Sequence, residues 1–302
     1  MRSLTLVLLF ILSISAANSQ SETDELTNTL LWEVTHPISK VSSYIFGTIH
    51  LIPEDKFNIS DSLTHCINSV DEIFFEIDLS GMEDLGNLHT LLSKMIMKND
   101  TLISDLLPED KSTLLFQKLN ERGIPPFIVE KIKPIFISMI LESPSLTDNK
   151  EGEDALNMKS YEIELNAMAV EMGKEIKGLE TIEEQIDLFD NIPYALQAEM
   201  LLDNLNNNEP ENLKNIDHSL FDLYKAQDLN EINKMMNADS DLSGFNHILL
   251  DKRNIDWVNS IIKLDNKQSY LFAVGAGHLP GDNGIIQLLK NEGYQFRPMQ
   301  NH

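Results

Sequence analysis

The chain carries the same short pattern near both of its ends. Residues 44–55 read Tyr-Ile-Phe-Gly-Thr-Ile-His-Leu-Ile-Pro-Glu-Asp, and residues 272–282 read Phe-Ala-Val-Gly-Ala-Gly-His-Leu-Pro-Gly-Asp. Each copy is an apolar run, then Gly-x-x-His-Leu, then a proline and an acid, which singles out His50 and His278. Two further apolar runs close on carboxylates: Glu76 and Asp78 end Glu-Ile-Phe-Phe-Glu-Ile-Asp, and Glu180 follows Gly178-Leu179. Two imidazoles with two or three carboxylates are the donors of a catalytic metal site. Manganese, cobalt or zinc would accept them with one position left for water. Such a divalent cation makes hydroxide available near neutral pH without a serine or cysteine nucleophile. His50 and His278 are then the principal ligands. Glu76 comes next, as a ligand or as the base that activates the water, followed by Glu180. Arg253, in Asp251-Lys252-Arg253-Asn254, is the cation expected to bind a substrate carboxylate or an oxyanion. The same residues also allow hydrolysis without a metal, with histidine as general base and glutamate as acid or orienting partner.

Each of these residues has a plainer explanation. A lone Gly-x-x-His is common; two copies in matching contexts carry weight because ligating and proton-transferring histidines gather at such sites. Taken singly, Glu76 is an ordinary strand-end acid, Glu180 a helix-start acid favoured by the macrodipole, and Arg253 a solvated helix charge. His36, His65, His89, His218, His247 and His302 have no partner pattern, and the methionine-rich stretches read as core filler. Gly275-Ala276-Gly277 with Gly281 invites a dinucleotide-loop reading. It fails because the third glycine falls one position late, Pro280 interrupts the turn, and Tyr294–His302 offers no ribose-binding acid.

The elements that must position these residues follow from periodicity. Leu30–Thr35 and Tyr44–Gly47 read as strands joined by a loop over His36–Ser43. Glu72–Asp78 and Ser269–Val274 read as buried strands and Tyr294–Pro298 as the last strand. Asp61–Val70 reads as a helix capped by Asp61 or Ser60, with Leu63, Ile67 and Val70 on one face. Asn283–Asn291 reads as another. Between Leu85 and Leu264 the apolar residues recur at three- and four-residue spacing, which predicts helices punctuated by prolines. One isolated strand, Lys174–Leu179, interrupts them after a helix over Met158–Met172, and Asn206–Asn208 with Asn215 marks a polar loop. A separate two- or three-strand sheet is only marginally stable, so the distant strands are expected to pair in one sheet. The fold class is α/β, with α+β as the alternative: a mixed sheet of N- and C-terminal strands, the long helical middle forming a lobe or cap. Each histidine then follows the C-terminal end of a strand, where α/β folds build their sites. Gly47 and Gly275 sit where the chain leaves the sheet, a place that favours positive φ.

Composition narrows the function further. The 302 residues hold 23 Lys+Arg against 48 Asp+Glu, a formal charge of -25, which argues against binding a phosphate backbone. A single cysteine, Cys66, excludes an internal disulfide framework and any thiolate-rich metal site. Residues 1–19 combine Arg2, an apolar run from Leu4 to Ile14 and a small-residue exit, the pattern of a secretory signal peptide cleaved near Ser19. The run is shorter than the roughly 20 apolar residues of a membrane span. Residues 20–29 are expected to be a flexible lead-in and 30–302 one domain, in the periplasm or secreted.

The motifs also resemble a known family. Leu31-Trp32-Glu33 ahead of Gly47–His50, Glu76 on the next strand, Gly178-Leu179-Glu180-Thr181 with Glu183-Glu184-Gln185, Arg253-Asn254, and Val274–Leu279 with Gly281 and Gly284 occur in this order. That succession resembles the TraB/PrgY/GumN family, whose animal relatives are the TIKI proteases, and the compact, signal-bearing form is similar to its GumN-like bacterial branch. The resemblance covers about residues 30–299. It implies a fold shared with erythromycin esterases and the haem-binding ChaN group. It also implies a manganese- or cobalt-dependent protease site whose ligand roles fall on His50, Glu76, Glu180 and His278. The expectation is an exported metal-dependent hydrolase acting on a peptide or small-molecule substrate. The alternatives are a periplasmic binding protein for a peptide or haem without turnover, and a metal-free histidine-based esterase.

Overall fold

The computed structural model describes residues 26–78, 85–142, 158–207, 220–238, 245 and 247–301. The expected signal peptide, Asn208 and Asn215 of the polar loop, His218 and His302 lie outside the described residues. The described residues form eight strands: β1 (Leu31–Thr35), β2 (Ser42–Thr48), β3 (Ile52–Pro53), β4 (Glu72–Ile77), β5 (Met158–Lys159), β6 (Glu175–Glu180), β7 (Tyr270–Gly275) and β8 (Gln295–Pro298). Six form one mixed sheet in the order β6-β4-β7-β2-β1-β8. β2, β4, β6 and β7 are mutually parallel, while β1 is antiparallel to both of its neighbours, β2 and β8. The chain ends do meet in one sheet. The strand that interrupts the helical middle, β6, joins the sheet edge beside β4, with Ile77 opposite Glu180.

The strands read as they pack. β4 and β7 are buried along nearly their whole length, the continuous apolar pattern of parallel strands covered on both faces. Leu31, Ile45, Phe46, Ile73, Leu271 and Ala273 form the centre of the main core. The helix Asp61–Ser69 starts at Ser60, whose hydroxyl accepts a hydrogen bond from the Leu63 N–H at 3.0 Å. The helical middle builds a second core of its own around Leu115, Leu119, Ile137 and Leu201.

Several expected boundaries shift by a residue or two, and the helix expected over Met158–Met172 loses its first three residues. Met158 and Lys159 do not belong to the following helix, which runs Tyr161–Glu171. They pair antiparallel with Ile52–Pro53 as a two-strand ribbon. The extended conformation is short and half-buried, so helical periodicity through Met158 hid it. Its consequence is positional, because it brings the start of the helix Tyr161–Glu171 alongside the segment that follows β2.

Candidate functional site

Parallel strands end on one edge of the sheet, and this brings together residues far apart in sequence. Thr48 at the end of β2 lies opposite Gly275 at the end of β7, and Ile77 of β4 lies opposite Glu180 of β6. Past these ends, Ala276–His278 forms a single 3-10 turn. Two glycines there act through space rather than through φ. Gly275 has φ -51, and Gly47 is not among the positive-φ glycines, so the expected left-handed conformation is absent at both. A Cβ on Gly275 would instead sit 3.2 Å from Glu76 Oε1, and one on Gly47 would sit 3.1 Å from the Ala276 Cα. Both are positions of close backbone approach.

Arg253 is the hub. It opens the helix Lys252–Ile261, just after a π-helical turn over His247–Asp251. Trp257 lies four residues on, hence on the same helix face, and the guanidinium lies over its indole at 4.6 Å. Nε donates to both Glu180 oxygens at 3.1 and 3.2 Å. One terminal nitrogen donates to Glu76 Oε2 and Glu180 Oε1, each at 2.6 Å. The other donates to the Leu249 carbonyl and to His278 Nε2, each at 3.1 Å. A guanidinium has five N–H donors, and all five are spent. The side chains of Arg253, Glu76 and Glu180 are 11%, 8% and 9% exposed, so this is a buried charge cluster rather than a surface ion pair.

Neighbours lock each member. The Gly275 N–H donates to Glu76 Oε1 at 2.8 Å. Gln185 donates to Glu180 Oε1 at 3.1 Å, and Trp257 Nε1 donates to Glu180 Oε2 at 3.2 Å. Gln185 is placed by the helix Ile182–Leu188, which Thr181 and Glu184 start as a reciprocal capping box. Asn254 donates its amide to the Asn283 carbonyl at 2.8 Å, which turns its own oxygen toward His278 Nδ1 at 2.6 Å. Nδ1 must therefore carry the proton, and Nε2 is the lone pair facing Arg253. Burial holds the His278 pKa down at about 4 against the opposing pull of Glu76. Burial would raise the Glu76 pKa, yet His278, Arg253, the Gly275 N–H and His50 together bring it to about 2. Since His278 is neutral near pH 7, the permanent cation holding Glu76 ionised is Arg253.

His50 stands apart from this cluster. Its Nδ1 lies 3.2 Å from Glu162 Oε1 at the start of the helix Tyr161–Glu171, and its side chain is 79% exposed. The Thr48 hydroxyl donates to Glu162 Oε1 at 2.8 Å and the Ser160 hydroxyl to Glu162 Oε2 at 3.0 Å. The hydrogen bond to Glu162 raises the His50 pKa against the effect of burial. Burial would raise the Glu162 pKa, but its bonds to His50 and Thr48 lower it. His50 also feels the charges of Glu76, which raises its pKa, and of Arg253, which lowers it. Four of the five residues singled out from sequence thus converge (Glu76, Glu180, Arg253 and His278), while His50 pairs with Glu162. Sequence reasoning passed over Glu162, which sits at an unremarkable helix start and is brought near His50 by the β3–β5 ribbon and by the bonds of Thr48 and Asn58 to that helix start.

The donor types suit a divalent ion, but their arrangement does not. Glu76 Oε2, Glu180 Oε1 and His278 Nε2 are the atoms that would face an ion, and each is occupied by the Arg253 guanidinium. Among the described residues, no group of three or more His, Cys, Asp or Glu is arranged to hold a metal. Arg253 likewise has no hydrogen bond left for a substrate oxygen in this arrangement.

Comparison with known proteins sets this site in context. The chain is 24% identical to metalloprotease TIKI2 of Danio rerio over 328 residues, covering 89% of the chain and 60% of that relative. It is 24% identical to a metalloprotease TIKI homologue of Amphimedon queenslandica over 345 residues, covering 96% and 65%. It is 22% identical to metalloprotease TIKI1 of Xenopus tropicalis, covering 88% and 61%. The chain thus spans about three fifths of the length of the curated relatives it matches. No solved structure matches it significantly. The TraB/PrgY/gumN family profile matches residues 30–298, nearly all of the described fold, and the chain belongs to that family.

Proposed function

We propose that the chain is an exported hydrolase of peptide or related acyl bonds, with His50 as the base that activates water. The observation that supports this most is the His50–Glu162 pair, open to solvent beside a buried cluster of fixed charges. Glu162 accepts from His50 Nδ1, which leaves the Nε2 lone pair toward solvent. Neutral His50 takes a proton from water as the water attacks the acyl carbon. The imidazolium, stabilised by Glu162, returns the proton to the departing amine or alkoxide. The Glu76–Arg253–Glu180–His278 cluster keeps the floor of the site rigid and supplies a fixed field. Export rests on the signal-peptide pattern of residues 1–19 and is checked by N-terminal sequencing of the secreted protein.

The relatives' name, metalloprotease, favours a second reading, in which a divalent cation, of which manganese, cobalt and zinc suit these donor types, would lower the pKa of the attacking water. That reading requires Arg253 to give up its partners first. A quenched-fluorescent peptide library and a panel of simple esters separate the two. Chelator-resistant hydrolysis that is lost in His50→Ala supports the His50 reading, whereas turnover only after manganese is added supports the ion. Saturable binding of a peptide, or of haem with a Soret band, without hydrolysis under either condition refutes both.

A further inference from the structure

The inference concerns Arg253, and it rests on the cluster geometry rather than on any particular hydrolytic mechanism. A divalent cation bound by Glu76, Glu180 and His278 would need the Oε2, Oε1 and Nε2 atoms that now accept from one guanidinium at 2.6, 2.6 and 3.1 Å. These three contacts converge from strands β4 and β6 and from the turn after β7, the geometry by which a central cation gathers ligands. The guanidinium is also held from its other sides, by the Leu249 carbonyl and the Trp257 ring. It is an internal organic cation seated where the sequence motifs would place an inorganic one. Both are hydrogen-bond or Lewis acids competing for the same lone pairs, and two positive charges within a few ångströms in a buried site repel strongly.

We propose that Arg253 and a divalent cation exclude one another at Glu76, Glu180 and His278, so that the side chain of Arg253 sets the metal affinity of the site. Trp257 reports the exchange, because a departing guanidinium uncovers its ring. The charge arithmetic points the same way. With Arg253 in place the two carboxylates are half neutralised and a further dication gains little. Without it, two buried carboxylates and a neutral imidazole with a free lone pair form an unsatisfied donor set, which a hard or borderline ion fits well.

The test uses the full chain and manganese as the probe, followed by loss of the free-ion electron paramagnetic resonance signal. Arg253→Met is expected to bind about one ion at least 10-fold more tightly than the parent protein, and Glu76→Gln added to Arg253→Met is expected to abolish the gain. Arg253→Lys serves if the methionine variant does not fold, since an ammonium cannot hold five partners at once; an affinity between the two is expected. Equal manganese affinity in the parent and both Arg253 variants overturns the proposal. So does a gain that survives Glu76→Gln, or ion binding that is lost in His50→Ala but indifferent to Arg253. None of these readouts depends on turnover, so failure of the hydrolase reading leaves them unaffected.

Discussion

Replacing Arg253 with methionine tests how the buried charges stabilise the fold. Methionine fills much of the same space but leaves Glu76 and Glu180 buried without their cation. The cost follows from proton linkage. In the native protein Glu76 titrates at about 2 instead of the usual 4.5. At ~1.4 kcal/mol per tenfold change in proton affinity, that preference for the ionised form is about 3 kcal/mol, a sum over His278, Arg253, the Gly275 N–H and His50 of which Arg253 supplies one part. The sign is that of a lowered carboxylate: the stabilisation is fully present above pH 4.5 and is lost as pH falls toward 2. Without Arg253, burial dominates and the Glu76 pKa rises, so the variant should be weakest at high pH. The general range for breaking a buried pair, roughly 3–5 kcal/mol, agrees. Urea denaturation at pH 8 should therefore show Arg253→Met less stable than the parent by about 3 kcal/mol or more, with a clearly smaller gap at pH 4. Adding Glu76→Gln removes the stranded charge while keeping an acceptor for the Gly275 N–H, and should recover about 1–3 kcal/mol. A loss below about 1 kcal/mol at pH 8, or a double variant less stable than Arg253→Met, would refute the reasoning.

Other outcomes follow from the same geometry. His278 titrates at about 4 against the usual 6.5, so the unfolded chain takes the proton first as pH drops. Stability should fall between pH 6.5 and 4 by about 3 kcal/mol, seen in urea midpoints across that range, and His278→Gln should flatten that part of the profile. Gly275→Ala would press a methyl to 3.2 Å from Glu76 Oε1 and should lower stability by about 1–3 kcal/mol, measured by thermal unfolding. Under the His50 reading, His50→Ala should reduce kcat about 10²–10⁴-fold with an unchanged circular dichroism spectrum, since the side chain is largely exposed. Burial pushes the Cys66 thiol up to about 12, so Ellman's reagent at pH 8 should label it only after denaturation.

Much of the site was legible because its chemistry sits at strand ends. Apolar runs closing on Glu76, Glu180, Gly275 and Gly47 are local patterns, and parallel pairing aligns such ends on one edge without further information. What sequence could not yield was the partner of each side chain. Arg253 reads as a cation for a substrate carboxylate or an oxyanion until Glu76, Glu180, His278 and the Leu249 carbonyl are seen to take its donors. Glu162 lies 112 positions from His50 in a helix with no distinguishing pattern, and a two-residue ribbon together with the bonds of Thr48 and Asn58 brings them together. Gly275 and Gly47 were legible as special positions, but the reason lies in crowding by Glu76 and Ala276 rather than in φ. Such contacts depend on tertiary packing, which residue spacing along the chain does not encode.

The cluster also gives the chain's acidity a local meaning. With 48 acids against 23 bases, cations are too few to pair each carboxylate one to one, and exposed carboxylates are served by solvent. Glu76 and Glu180 cannot use solvent, since both are more than nine-tenths buried. Ionised carboxylates in that setting cost several kcal/mol each unless paired, so the fold must supply a cation, and Arg253 does. Arginine is the side chain whose planar fork can serve two carboxylates, an imidazole and a carbonyl together, where lysine offers three donors from one point. The same fork adds to the burial that keeps His278 neutral. Its Nε2 accepts from Arg253 while Nδ1 donates to Asn254, so protonation at Nε2 would break a hydrogen bond and set two cations face to face. Stability of the sheet edge and availability of donors for an ion are therefore opposed at this one residue. Whatever loosens Arg253 must either neutralise the two glutamates or bring a positive charge to replace it.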